Sequence, residues 1–256
     1  AHDADVVLFV DTFNNYFEPE NARAALAVLR AAGRRVHVAR AAADDAQPAR
    51  PLCCGRTFLA VGQVEQARHE ARRLLAALAP FVARGVPVVG LEPSCLLTLR
   101  DEYLVLRLGE GAQRLAECAL TFEEYLAREQ AAGRLALPLQ PLPQQRALLH
   151  GHCHQKAFDA LRPVEQVLRL IPELRVETID SSCCGMAGSF GYEAAHYALS
   201  MKMAEQSLLP ALRRADENTL VIADGTSCRH QIAQGSGRQA LHVARVLARA
   251  LAAPPA

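Results

Sequence analysis

The sequence predicts an α/β protein made of two tandem, pseudo-symmetric parallel-sheet modules, and three observations carry that prediction. Cys53-Cys54-Gly55 recurs as Cys183-Cys184-Gly185, 130 residues or about half the chain further on, so the chain contains an internal repeat. Each copy is followed by a helical period, a short apolar run and a Ser-Cys pair, Ser94-Cys95 in the first half and Ser227-Cys228 in the second. Between the halves lies Pro138-Leu139-Gln140-Pro141-Leu142-Pro143, rich in proline and without a period, which reads as a linker over 138–143.

The first module, 1–137, opens on Val6-Val7-Leu8-Phe9-Val10, an apolar run suited to a strand covered on both faces. A helix over 21–32 and a strand over 35–40 follow. After the first Cys-Cys-Gly, Val64, Ala67, Ala71, Leu74, Leu75, Leu78 and Val82 fall at helical spacing. The run over 86–91 reads as the third strand, and a helix over 111–130 closes the half. In the second module, 144–256, the strands read at 147–150, 175–180 and 219–224. Its helices read at 163–171 and along Ala195, Leu199, Met203, Leu208 and Leu212. Each half is therefore β-α-β-α-β, a Rossmann-like order that calls for a parallel sheet with right-handed crossovers.

Composition excludes several classes of function. A 51% hydrophobic share and a near balance of 28 Lys+Arg against 27 Asp+Glu describe a core-forming chain, not a disordered tail. A net charge of +1 leaves no electrostatic footprint for nucleic acid. The apolar runs fall far below the ~20 residues of a membrane span. The opening Ala1-His2-Asp3-Ala4-Asp5, with neither initiator Met nor signal peptide, reads as the start of a piece excised from a longer protein.

Eight cysteines in a chain long enough to build its own core point to metal or redox chemistry rather than to disulfide staples. Vicinal pairs are also poor disulfide partners, because the ring that joins them is strained. Cys153, Cys183, Cys184 and Cys228 each follow a predicted strand, so all would sit beyond the carboxyl ends of one parallel sheet, where such sheets place their ligands. Gly185 permits a tight turn or a close approach to a bulky group. Thiolates select zinc, copper(I) or iron–sulfur clusters, and neither the zinc-knuckle nor the ferredoxin spacing is present, so spacing alone leaves the metal open. Cys118 falls on an apolar helix face and reads as a core thiol.

The order Cys153, Cys183-Cys184-Gly185, Cys228 resembles the cysteine-rich CCG-domain family found in heterodisulfide reductase and in the iron–sulfur subunits of glycolate oxidase and anaerobic glycerol-3-phosphate dehydrogenase. His152-Cys153-His154-Gln155-Lys156 and Asp224-Gly225-Thr226-Ser227-Cys228-Arg229-His230 are most similar to the C-terminal region of large FAD-linked D-2-hydroxy-acid oxidases. The resemblance implies an iron–sulfur cluster, of the 4Fe–4S type, on Cys153, Cys183, Cys184 and Cys228, with Gly185 and His230 beside it. It implies FAD on a partner domain or subunit, a downstream electron acceptor, and an electron-transfer role without an independent catalytic residue. The expected setting is the cytoplasm, free or at the inner membrane face. A disulfide or quinone reductase module, or a zinc or structural-thiol interaction module, is the competing reading.

The first half departs from the family pattern. Thr12 stands before Asn15-Tyr16 where the family carries a Cys, and its hydroxyl is a poor soft ligand. That half retains Cys53, Cys54 and Cys95 as further candidate metal ligands, and it is expected to bind metal less well. His150, His152, His154 and Lys156 read as donor or cationic side chains that offset the charge of an all-thiolate site.

Overall fold

The structure is a computed structural model and describes residues 3–252, so the Ala1-His2 opening lies outside the described residues. The chain divides into two compact units between Ala136 and Leu137.

In the first unit the order is β1 (Val6–Phe9), α1 (Thr12–Tyr16), α2 (Pro19–Ala31), β2 (Val36–Val38), α3 (Arg56–Ala60), α4 (Val64–Val82), β3 (Val88–Gly90), α5 (Pro93–Thr98), α6 (Glu102–Val105), α7 (Glu110–Cys118), β4 (Ala119–Thr121) and α8 (Phe122–Ala131). The strands form one sheet in the order β2-β1-β3-β4. Every neighbouring pair is parallel. The four residues of β1 are all buried, as an apolar run in the middle of a doubly covered sheet requires. Along α4, Ala67, Ala71, Leu74, Leu78 and Val82 turn into the core, and each buried Leu or Val contributes roughly 1.5–3 kcal/mol.

The second unit repeats the plan with β5 (Arg146–Leu149), α9 (Cys153–Ala157), α10 (Leu161–Leu168), β6 (Arg175–Thr178), α11 (Ala194–Ala204), α12 (Leu208–Arg214), β7 (Leu220–Ile222), α13 (Thr226–Ser236), β8 (Ala240–Leu241) and α14 (Val243–Ala250). Its sheet runs β6-β5-β7-β8, again parallel throughout. β6 lies at the edge and alternates exposed Arg175 and Glu177 with half-buried Val176 and Thr178, which blunts that edge with charge. In both sheets the chain steps to one side of the first strand and then to the other. That reversal opens a crevice outside the carboxyl ends of the first and third strands.

The predicted fold class holds, and each sheet gains a fourth strand that the periodicity concealed. The region read as one helix over 111–130 is α7, β4 and α8. Ala119–Thr121 pairs with β3, and Thr121 then starts α8 with a capping box, its side chain accepting from the Glu124 N–H and its own N–H donating to the Glu124 carboxylate. The long helix of the second half is also broken, because Pro210 lacks a donor and fits only in a first turn, which α12 supplies by restarting at Leu208. The Pro-rich segment is not a free connector. Gln140 N–H donates to Ala250 O at 2.8 Å, Ala252 N–H donates to Pro138 O at 2.8 Å, and Leu139 bridges Leu251, which ties the segment to the end of α14. Among the described residues no helix is long and apolar enough to cross a membrane.

Candidate metal centre

The second unit gathers the cysteines through three strand ends. After β5 the chain passes His150 and Gly151 and enters α9, whose N-cap is His152 and whose first residue is Cys153. The His152 ring accepts from the His154 N–H at 3.1 Å, and the Gln155 side chain accepts from the His152 N–H at 3.0 Å, so the turn carrying Cys153 is fixed from both sides. After β6 come Cys183 and Cys184, with Gly185 at φ +97°; a Cβ there would meet Ser200 O at 2.1 Å. After β7, Gly225 starts α13 and places Cys228 in its first turn, where the positive end of the helix favours a thiolate.

The four thiols are electrostatically linked, Cys183 with Cys153 and Cys184, and Cys184 with Cys228. The ligating atoms of His150, Cys184 and Cys228 all lie within 4.8 Å of one another, as do those of His152, Cys153 and His154. Hydrogen bonds from Cys153 and Cys184 pull the Cys183 thiol well down. Cys184, His150 and the field of His152 do the same for Cys228. Cys153 and Cys184, as donors to those sulfurs and as partly desolvated groups, are pushed up. A soft cation binds thiolates, so its entry here would release thiol protons. Cys184 and Cys228 are buried, Cys183 is half-buried and Cys153 is exposed, so the sulfurs lead from solvent inward.

The donor set fits a sulfur-ligated cluster. Four thiols stand on loops and helix starts after three strands of one sheet, and glycine stands where a side chain would intrude: a Cβ at Gly225 would meet the His152 ring at 2.3 Å and Cys228 Sγ at 3.3 Å.

The first unit carries the same frame with one ligand changed. Cys95 sits in the first turn of α5, and Cys54 lies between Cys53 and Cys95. Gly55, at φ +81°, turns the chain into α3, and its N–H donates to Cys53 Sγ at 3.4 Å, as that of Gly185 donates to Cys183 Sγ at 3.3 Å. The Tyr103 hydroxyl donates to Cys54 O at 3.0 Å from a fully buried ring and pins the turn. Thr12 is the first residue of α1, and its side chain favours the charged form of Cys53 slightly, against a larger rise from Cys54 and burial. Beside these sulfurs lie two buried carboxyl groups. Asp11 is raised to about 6 by burial and by Glu92. Cys95, although Cys54 donates to it, is pushed up to about 12 by burial and by Asp11 and Glu92. Burial and these two carboxyl groups oppose a thiolate at Cys95.

Of the other residues singled out in the sequence, Cys118 ends α7 half-buried against the core of the first unit. His230 is exposed and pairs with the Tyr192 hydroxyl; the buried imidazoles at the sulfurs are those of His150 and His152. Sequence reasoning passed over Asp224. It is buried at the end of β7, accepts from Gln155 Nε2 at 2.9 Å and from the Val243 N–H at 3.0 Å, and faces His242 Nε2 at 3.6 Å. It thereby joins the loops after β5, β7 and β8. The available signal was the spacing of His152 and Gln155, which is that of a capping box with histidine as the cap.

Comparison with known proteins agrees with this geometry. Residues 147–233 match the model of the CCG cysteine-rich domain. The chain is 30% identical over 252 residues, 96% of its length, to a subunit of the anaerobic glycerol-3-phosphate dehydrogenase of Escherichia coli (strain K12), and it spans 59% of that subunit. It is 31% identical over 245 residues, 94% of its length, to D-2-hydroxyglutarate dehydrogenase of Pseudomonas putida, of which it spans 22%.

Proposed function

We propose that this chain, which belongs to the CCG cysteine-rich family through residues 147–233, is the iron–sulfur electron-transfer module of a flavin-dependent dehydrogenase that oxidises a 2-hydroxy acid. The observation that carries this reading is the placement of Cys153, Cys183, Cys184 and Cys228 beyond the carboxyl ends of three strands of one parallel sheet. The relatives named as dehydrogenases, one of them a subunit, support the setting, and the chain spans only part of each.

Cys153, Cys183, Cys184 and Cys228 would hold the cluster, of the 4Fe–4S type. Bound there, it supplies one-electron oxidation and reduction. The protein's share is ligation, burial and docking. Cys184 and Cys228 keep the inner side dry, exposed Cys153 marks the side that faces a partner, and Gly185 and Gly225 leave the space. Electrons would arrive from FAD on a partner domain or subunit and leave to a downstream acceptor, in the cytoplasm or at the inner membrane face. Photoreduced free FAD, mixed without oxygen with the purified chain, tests this. Bleaching of a visible charge-transfer band in the wild type, and its absence in Cys184→Ser, is expected; a chain with no band to bleach contradicts the reading.

A further inference from the structure

Lys156, Ser181 and His150 are three polar side chains from three different segments, and they meet in one line that ends on a sulfur. Lys156 projects from α9 toward the loop after β6, where its ammonium donates to Ser181 O, to Ser182 O at 3.1 Å and to Ser181 Oγ at 3.4 Å. Gly151 makes room for it, since a Cβ there would meet Lys156 Cε at 3.1 Å. Ser181 Oγ lies 2.9 Å from His150 Nδ1 and 3.4 Å from Ile179 O. His150 is 1% exposed, and a ring nitrogen of it lies within 4.8 Å of Cys184 Sγ and Cys228 Sγ.

The direction of each bond follows from the chemistry of the groups. An ammonium only donates, so it occupies a lone pair of the Ser181 oxygen and polarises that hydroxyl. Of the two partners that can take the hydroxyl proton, His150 Nδ1 at 2.9 Å is nearer than Ile179 O at 3.4 Å, and the proton is assigned to it. An imidazole that accepts at Nδ1 carries its proton at Nε2, and a ring nitrogen of His150 lies within 4.8 Å of Cys228 Sγ.

We infer that Lys156 and Ser181 hold His150 in the Nε2–H tautomer, and that His150 is a positioning residue that donates a hydrogen bond to Cys228 rather than a ligand. This rests on the cluster reading above and deepens it. A hydrogen bond to a ligand sulfur stabilises the reduced, more negative state, and so raises the reduction potential. The opposite tautomer would aim a lone pair at the site and make His150 a competing ligand.

The test uses the full chain as isolated without oxygen, in wild type, His150→Phe, Ser181→Ala and Lys156→Met forms. Three readouts are taken: non-haem iron per chain, midpoint potential, and the tautomer of His150 from two-bond proton–nitrogen couplings in histidine-labelled protein. Iron is expected to stay at the wild-type level in all three variants. In His150→Phe the oxidised-to-reduced ratio at a fixed applied potential should rise about tenfold, which is ~59 mV for one electron. Ser181→Ala and Lys156→Met should shift it the same way by less, and Ser181→Ala should add Nδ1–H tautomer. Loss of iron in His150→Phe, an unmoved potential, or an Nδ1–H wild-type imidazole would each overturn the inference. Wild-type protein without iron would overturn the cluster reading alone, and the tautomer would still decide this one.

Discussion

Thr12 and Cys153 hold the same place in their respective units. Each is the first residue of the helix after the first strand, each follows an N-cap whose side chain accepts from the backbone, and each interacts electrostatically with the first cysteine of its Cys-Cys-Gly turn, Cys53 or Cys183. The two units thus share one frame. They differ at a single sulfur and in the charge beside it, where Asp11 caps α1 and His152 caps α9.

Thr12→Cys should raise the iron retained per chain above wild type, because the side chain it replaces already interacts with Cys53. A hydroxyl is a hard, weakly acidic ligand, whereas a thiol there would complete a four-sulfur set. Iron assay after anaerobic reconstitution measures this, and the gain should be larger in Thr12→Cys combined with Asp11→Asn, which removes the carboxyl group beside the sulfurs.

Cys183→Ser or Cys184→Ser should abolish iron loading in the second unit, while Cys118→Ser at the end of α7 should leave iron unchanged. Cys183 and Cys184 are each electrostatically linked to two other candidate ligand sulfurs, so either loss breaks the set. Equal iron in the three variants, from one preparation, would show that these sulfurs are not ligands.

Gln155→Ala should destabilise the chain by about 1–3 kcal/mol, the cost of leaving buried polar partners unsatisfied. Its amide serves Asp224 Oδ2 and the His152 N–H at once, and both are buried. Denaturant titration should give this loss, and Gln155→Glu should not restore it, because a second carboxylate would face Asp224.

Asp5 gives a pH-dependent term remote from the cysteines. Hydrogen bonds from the Arg35 side chain and backbone hold its carboxyl group down to about 2, below the ordinary 3.8. The folded state therefore binds its proton less readily than the unfolded state, and the stability it contributes is present above about 4 and lost as pH falls toward about 2. For so exposed a pair the contribution is ~0.2–1 kcal/mol. Asp5→Asn should remove it near neutral pH and match the wild type at the acid end in paired denaturation curves.

Most of this architecture was legible because repetition and apolar period survive without tertiary information. The buried run Val6–Phe9 and the face of α4 are written in single letters, and the repeated Cys-Cys-Gly marked the two halves. β4 and β8 were not legible, because three and two residues are too short to carry a period. Only pairing with β3 and β7 makes strands of them. The cysteines of the candidate centre could be read from their order, but the choice of histidine could not. His230 lies two residues from Cys228, yet α13 turns it outward, while His150 is distant in sequence and returns through the pairing of β5 with β7. Ser181 carried no signal, and Asp224 was visible only as the head of the Asp224–His230 motif and through the His152–Gln155 spacing, since their roles exist only where separate loops meet.

The central claim is that Cys153, Cys183, Cys184 and Cys228 hold an iron–sulfur cluster. Non-haem iron and acid-labile sulfide, measured per chain on protein purified without oxygen, test it most directly. The account predicts iron and sulfide together, with broad visible charge-transfer absorption that disappears in Cys184→Ser. A colourless protein that carries zinc without sulfide, or neither metal nor sulfide after anaerobic reconstitution, would contradict it.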